Sequence, residues 1–175
     1  MKQLLCITDR DITGSDAVSN AVPRISVGVV LFDNESNVAL YFTRNWNMHT
    51  LPGGGVYENE TLMSAAKREM LEETGCEIKI IHEIGATLEN RGEHDFTQKK
   101  YHYVAKVVGE KGELQLTIKE RATGATVHWL PLVQAMQILS EQNPSTYQQK
   151  FIKRRDVGVL AEVMRWLTVP REDVT

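Results

Sequence analysis

Residues 53–76, GGGVYENETLMSAAKREMLEETGC, place four glutamates, Glu60, Glu69, Glu72 and Glu73, at fixed distances behind a run of three glycines. Residues 61–74 read as a helix, with Asn59 as its N-cap and Gly75 as the residue that ends it. On a wheel of about 100° per residue, Leu62, Met63, Ala66 and Met70 share one apolar arc. Glu69 and Glu73 sit at the margin of that arc, one turn apart, with Glu72 just beyond. Like charges so spaced repel by roughly 0.2–0.5 kcal/mol per pair even on an exposed helix. At the edge of a core, burial adds a further cost unless a cation compensates the carboxylates. A run such as KREMLEE is more commonly a solvated face laced with ion pairs. Here the acids meet the core margin, and Arg68 flanks Glu72 without lying between them. Hard oxygen ligands at i, i+3 and i+4 suit Mg²⁺ or Mn²⁺. Ahead of the helix, Gly53, Gly54 and Gly55 let the backbone turn with positive φ and approach a ligand closely. A loop that feeds a helix N-terminus in this way presents N–H groups to anions. It matches neither the GxGxxG nor the GxxxxGK pattern.

Working outward, residues 24–33, RISVGVVLFD, are β-branched and nearly continuous in apolar side chains, the pattern of a strand buried on both faces. A polar turn over 33–37 leads to a second strand at 38–43, so the two are expected to form a hairpin. Residues 45–50 read as a loop carrying Trp46. Beyond the helix, residues 77–88 alternate as a strand with a break near Gly85, 89–98 read as a charged loop, and 100–108 return as a strand. A short strand surrounds Trp129, a helix follows over Leu132–Glu141, and Asn143-Pro144 ends it. A last helix over 147–167 has Val157, Leu160, Met164 and Leu167 on one face. Near the N-terminus, residues 4–7 read as a short edge strand and 11–20 as loop. This order predicts an α/β domain with a mixed sheet between helices. One domain is expected over 1–175, with an N-terminal extension at 1–22 and a C-terminal helix at 145–168.

Composition narrows the function. A chain of 175 residues can bury roughly two-thirds of its unfolded surface. A net charge of −3 and a pI near 6.0 argue against broad nucleic-acid binding. A phosphate-bearing ligand would therefore need a local basic pocket or a metal bridge. Two cysteines make no disulfide framework and point to a reducing, cytoplasmic setting. The apolar run at 4–7 is too short for a signal segment, and no window approaches the ~20 apolar residues of a membrane span. The five histidines lack zinc-ligand spacing. Residues 150–155, KFIKRR, read as a solvated basic face, with phosphate steering as the alternative.

The spacing from Gly54 is G-x5-E-x7-R-E-M-x-E-E-x-G-C, with Glu60, Arg68, Glu69, Met70, Glu72, Glu73, Gly75 and Cys76 in the fixed places. This resembles the Nudix box of the Nudix hydrolase family. Every polar and glycine position is matched, and Met70 and Cys76 fill slots more often aliphatic. The resemblance implies an α/β/α sandwich and hydrolysis of nucleoside diphosphates linked to another moiety, with water attacking phosphorus under divalent-metal assistance. It makes Glu69, Glu72 and Glu73 the metal ligands and Glu72 or Glu69 the residue that activates water. Glu60, Arg68 and Gly75 become supports of the site. A further acid from outside the box is expected, Glu120 first and Glu93 second. Gly53, Gly54, Arg44 and Trp46 are the candidate substrate contacts. The implied cofactor is Mg²⁺, with Mn²⁺ as the alternative, and the implied partner is a small nucleotide; a homodimer fits the reading. Residues 90–94, NRGEH, hold neither the proline of ADP-ribose cleavers nor the tyrosine of dinucleoside-polyphosphate cleavers, so the substrate stays open. A non-catalytic sensing domain and an isomerase on the same fold are the competing readings. All four box glutamates are kept, which favours the hydrolase.

Overall fold

A computed structural model describes residues 1–169, apart from the Lys119 side chain; the last six residues of the span expected as one domain lie outside the described residues. In chain order the elements are β1 (Gln3–Thr8), α1 (Asp9–Ile12), β2 (Arg24–Phe32), β3 (Asn37–Thr43), β4 (Met48–Thr50), α2 (Leu62–Thr74), β5 (Glu77–Arg91), β6 (Phe96–Val108), α3 (Ile118–Ala122), β7 (Thr126–Pro131), α4 (Leu132–Glu141) and α5 (Tyr147–Thr168). The strands form one mixed sheet in the order β1–β5–β6–β2–β3–β4, with β7 paired to β3.

Strand parity explains the layers. Along β2, Val27, Val29 and Leu31 point to the face covered by α2, while Val30 and Phe32 point to the face covered by α4 and α5. β6 divides likewise, with Tyr103, Ala105 and Val107 toward α2 and Val104 toward α4 and α5. A strand that must satisfy two helical layers has no polar face to spare, hence the apolar run of 27–32. The result is the expected α/β/α arrangement with a C-terminal helix.

Several local expectations change. The hairpin of β2 and β3 touches only near its turn, at Phe32 opposite Val38. Beyond that point the glycine segment wedges between the two strands. Val27 N–H donates to the Gly54 carbonyl at 2.9 Å, Val29 N–H to Pro52 at 3.0 Å, and Val56 N–H to Ile25 at 3.1 Å. β3 then pairs along its length with β7 and, over three residues, with β4. The split between β2 and β3 is what opens the site.

The charged loop expected at 89–98 is mostly strand. β5 continues to Arg91, a 3₁₀ turn covers Gly92–His94, and β6 starts at Phe96. Glu89 and Arg91 are buried and paired with each other, so their polarity does not mark solvent. The break near Gly85 corresponds to shifts of register on either side of Glu83. β1 runs parallel to β5 as the edge strand, and the expected loop begins with the single turn of α1.

Helix α2 is capped by Thr61, whose hydroxyl accepts the Ser64 N–H, not by Asn59. Gly75 closes it at φ +69°, with its N–H on Leu71, and a Cβ there would run into the Gly112 backbone. Met63 lies 53% exposed, outside the buried arc formed by Ala65, Ala66 and Met70. On α5 the buried face runs through Ile152, Asp156, Val159, Leu160 and Val163, while Leu167 is exposed. That rotation turns Arg155 inward, out of the basic face expected over 150–155.

Candidate active site

The wedge at 52–56 lies against the N-terminal half of β2 and under the C-terminal turns of α2. Gly53 holds φ +135°, and a Cβ there would strike the Val27 carbonyl, so only glycine fits this approach. A Cβ at Gly54 would overlap the Glu69 carboxylate. The glycine run is thus the space into which the acidic helix sets its carboxylates. Glu73, 7% exposed, accepts the Gly53 N–H at 2.6 Å, which clamps loop to helix.

Arg68 does lie among the acids, contrary to the wheel reading. Its Nε and Nη2 grip the two Glu60 oxygens at 2.9 Å each, and its Nη1 donates to Glu69 at 2.8 Å and Glu72 at 3.1 Å. Nη2 also reaches the Gly55 carbonyl at 2.8 Å, and the guanidinium stacks 4.1 Å from the centre of the Tyr57 ring. The wheel misses this because a five-donor fork reaches both i+1 and i+4 while closing back on the loop. One cation therefore serves three carboxylates, and Glu73 is left to a backbone amide.

The electrostatics follow from that imbalance. Burial pushes the Glu73 carboxyl well above its usual range, opposed by the Gly53 N–H and reinforced by the charge of Glu69. Burial likewise raises Glu69, although Arg68 pulls the other way. Glu60 is held low by its Arg68 hydrogen bonds. Tyr41 is pushed up by burial and then by Glu73, Glu120 and Glu69 in turn, which places three acids around one phenol.

A cavity of about 330 Å³ opens between the wedge, β3 and α5. Of the sequence-predicted residues it brings together Gly53, Gly54, Glu73, Glu120 and Trp46 on its lining. Trp46, 43% exposed, stands on the turn between β3 and β4. Glu120 belongs to α3, where it also caps its own helix by accepting from the Thr117 N–H and hydroxyl at 2.8 Å. The Asn45 N–H bond to Thr123, at 3.2 Å, ties that segment to the Trp46 turn. Arg44 is not on the lining; its stem packs against Gly124. Glu93 sits elsewhere, its N–H on Asp9 at 2.9 Å and its carboxylate on the Thr13 hydroxyl at 2.8 Å.

Whether these residues suit a divalent cation turns on Glu73, a buried carboxylate with no cationic hydrogen-bond partner among the described residues, facing two further acids. An all-oxygen donor set of this kind fits a hard divalent ion. Among the described residues no three acidic, histidine or cysteine side chains are gathered as a ready cage. Glu69 and Glu72 are turned toward Arg68, which accounts for that.

A buried polar layer that reading the sequence missed puts Arg91, Gln98, Lys100 and Arg155 on the cavity lining, with Thr87, Glu89 and His102 off it. Thr87, Glu89 and Arg91 on β5 and Gln98, Lys100 and His102 on β6 alternate with period two, and the β6 set shares the parity of Val104 toward α5. Gln98 donates to Ser26 at 2.7 Å, and Thr87 bonds His102 at 2.9 Å. Glu89 accepts from Arg91 and, at 3.0 Å, from Arg155 of α5, which also holds Asp156 at 2.7 Å. Asp156 in turn accepts the Leu51 N–H at 3.0 Å. The signal was present as T-x-E-x-R and Q-x-K-x-H, polar strands at period two, but neither says which face it lines.

The model of the NUDIX domain family matches residues 22–153 of this chain. An RNA pyrophosphohydrolase of Bartonella henselae is 33% identical over 124 residues, 62% of this chain and 68% of that protein. The NUDIX domain of Shewanella oneidensis NrtR, solved with ADP ribose, superposes with a TM-score of 0.62 at 19% identity, over 85% of this chain and 90% of that one. A UDP-X diphosphatase gives a TM-score of 0.56 at 16% identity over 85% of this chain, which spans only 66% of that longer protein.

Proposed function

This chain belongs to the NUDIX domain family and is a pyrophosphohydrolase, and on that premise we propose that its cavity hydrolyses the diphosphate of a small nucleotide with a divalent ion bound by Glu69, Glu72, Glu73 and Glu120. The observation that carries the reading is the clamp of Glu73 on Gly53, which sets a buried carboxylate with no cationic hydrogen-bond partner among the described residues on the same cavity lining as Glu120. When bound, the ion neutralises phosphate oxygens and acidifies a water; Mg²⁺, or Mn²⁺ in its place, suits these donors.

The chain's own residues do the rest. Glu72, or Glu69 beside it, orients the attacking water and takes its proton as the water oxygen bonds to phosphorus and the bridging P–O bond breaks. Arg68 holds both glutamates at fixed positions while Glu60 anchors Arg68 in turn. Gly53 and Gly54 let the diphosphate approach the backbone, and the exposed ring of Trp46 offers a face to a base. Arg44 has no direct role in this reading. Two free cysteines, Cys6 and Cys76, support a reducing, cytoplasmic setting. Among the described residues no helix is long and apolar enough to cross a membrane.

The test is a screen of purified protein with Mg²⁺ against nucleoside triphosphates, nucleotide sugars, ADP-ribose, dinucleoside polyphosphates and a 5′-triphosphorylated RNA, reading the phosphate products. Turnover that stops on chelation is expected. Turnover of none of them, or turnover that survives chelation, overturns the reading.

A further inference from the structure

The inner end of the cavity, where β5, β6 and α5 meet within electrostatic reach of Glu73, is lined by buried cations. Lys100, 5% exposed, lines it and makes no hydrogen bond or ion pair among the described residues. Arg91 and Arg155 line it as well, both buried. Glu89 and Asp156 pair with the two arginines and Glu73 is a further carboxylate that Lys100 feels, yet none of the three bonds the Lys100 ammonium directly. Arg91 gives Glu89 its Nε and Nη2, and Arg155 gives its Nε and Nη1 to Asp156 and Glu89. Both guanidiniums keep further N–H groups uncommitted. On β3, between this wall and the acids Glu73 and Glu120, the Tyr41 hydroxyl is buried, lines the same cavity and has no hydrogen-bond partner among the described residues, in a residue 7% exposed. An unpaired ammonium and an unpaired phenol on one cavity lining are costly unless a ligand answers both.

We propose that this inner end is an anion subsite for a third phosphoryl group of the substrate, bound by Lys100, Arg91 and Arg155 with Tyr41 as a donor. The proposal rests on the pyrophosphohydrolase reading and narrows it. The preferred substrate carries a phosphate besides the diphosphate that is cut, as the outer phosphate of a nucleoside triphosphate or as a phosphomonoester on the nucleotide. A charged, multi-donor wall matches a phosphate oxyanion better than a neutral sugar, whose hydroxyls need acceptors as well as donors. Arg155 lies two residues beyond 153, where the family match ends, on a helix that begins inside that match at Tyr147.

Two measurements separate this subsite from a merely structural ion network. In chelator, where no hydrolysis runs, inorganic phosphate is titrated by calorimetry into the wild type, Lys100→Met and Tyr41→Phe. Lys100→Met conserves volume, and Tyr41→Phe removes a hydroxyl that bonds nothing, so both are expected to unfold no earlier than wild type. Phosphate affinity should fall about tenfold or more in Lys100→Met, the worth of one charge-assisted hydrogen bond, and less in Tyr41→Phe. Unchanged affinity in both variants, or no phosphate binding by the wild type, overturns the subsite. With Mg²⁺, Lys100→Met should raise KM for a nucleoside triphosphate about tenfold more than for a nucleotide sugar, while an equal rise for both also overturns it. Should the substrate screen find no turnover while the phosphate titration behaves as stated, the hydrolase reading fails and the subsite stands.

Discussion

The two ends of the cavity are opposites in charge and in how the chain builds them. At the box end Glu60, Glu69, Glu72 and Glu73 lie within fourteen consecutive residues; the first three share one cation, Arg68, and Glu73 holds the Gly53 N–H. At the inner end Lys100, Arg91 and Arg155 come from two strands and the last helix; the two arginines share Glu89, and Arg155 also holds Asp156. The first is a surplus of negative charge written at helical spacing in one segment. The second is a cluster of buried cations that exists only after β5, β6 and α5 meet. Local repetition leaves a signature that a wheel can read. Convergence of distant residues leaves only period-two polarity in strands, which solvent exposure would explain equally well.

The contrast can be broken most severely at the inner end. Glu89→Gln leaves Arg91 and Arg155 buried with only part of their compensation, and should cost about 3–5 kcal/mol of stability, as for other buried pairs that lose one member. Urea unfolding measures it, and a loss under 1 kcal/mol would mean the network is solvated in solution. At the box end the same kind of change should affect chemistry and not folding. Glu72, partly exposed and with its carboxylate bonded among the described residues to Arg68 alone, can become Gln with little change in midpoint, while turnover falls by about 10²-fold or more. Full activity in Glu72→Gln would remove it from the mechanism.

A smaller effect sharpens where the box end stops. Glu120→Gln should lower kcat by about tenfold, since Glu120 lines the cavity with Glu73, whereas Glu93→Gln should leave kinetics unchanged. The reverse outcome would return the outside acid to Glu93. The smallest effect is in the pH dependence of stability. Burial raises the Glu89 carboxyl, but Arg155 and Arg91 outweigh burial and hold it below its usual value. A depressed folded pKa means the contribution is complete above the unfolded value of about 4.3 and is lost as pH falls through the folded one. The stability gap between wild type and Glu89→Gln should therefore stay constant from neutrality to about pH 5 and narrow only below it. Narrowing above pH 5 would contradict the depression.

Much of the fold was legible because its core strands are two-sided. The apolar run of β2 and the alternation of β6 each name their state without help from neighbours. β4 was not legible, since three residues of strand have no period of their own, nor was α3, whose single turn is defined by its Thr117–Glu120 capping box. The hairpin of β2 and β3 was read correctly as two antiparallel strands, but their pairing stops beside the turn, at Phe32 opposite Val38. Nothing in either strand says that the glycine segment will take β2's free edge. Arg44 and Trp46 illustrate the limit for the site. Both stand beside the same turn, yet only Trp46 reaches the cavity, because Arg44 lies along Gly124.

By itself, the sequence determined the helix of α2, the glycines ahead of it and the placing of carboxylates at its core margin, because helical periodicity and glycine's freedom are local properties. Tertiary structure alone decided that Arg68 would bind three of those acids, that the wedge would split the sheet, and that Lys100, Arg91 and Arg155 would meet behind it. Those outcomes depend on which strand edge is free and how a helix is rotated, and both are settled by packing between segments far apart in the chain.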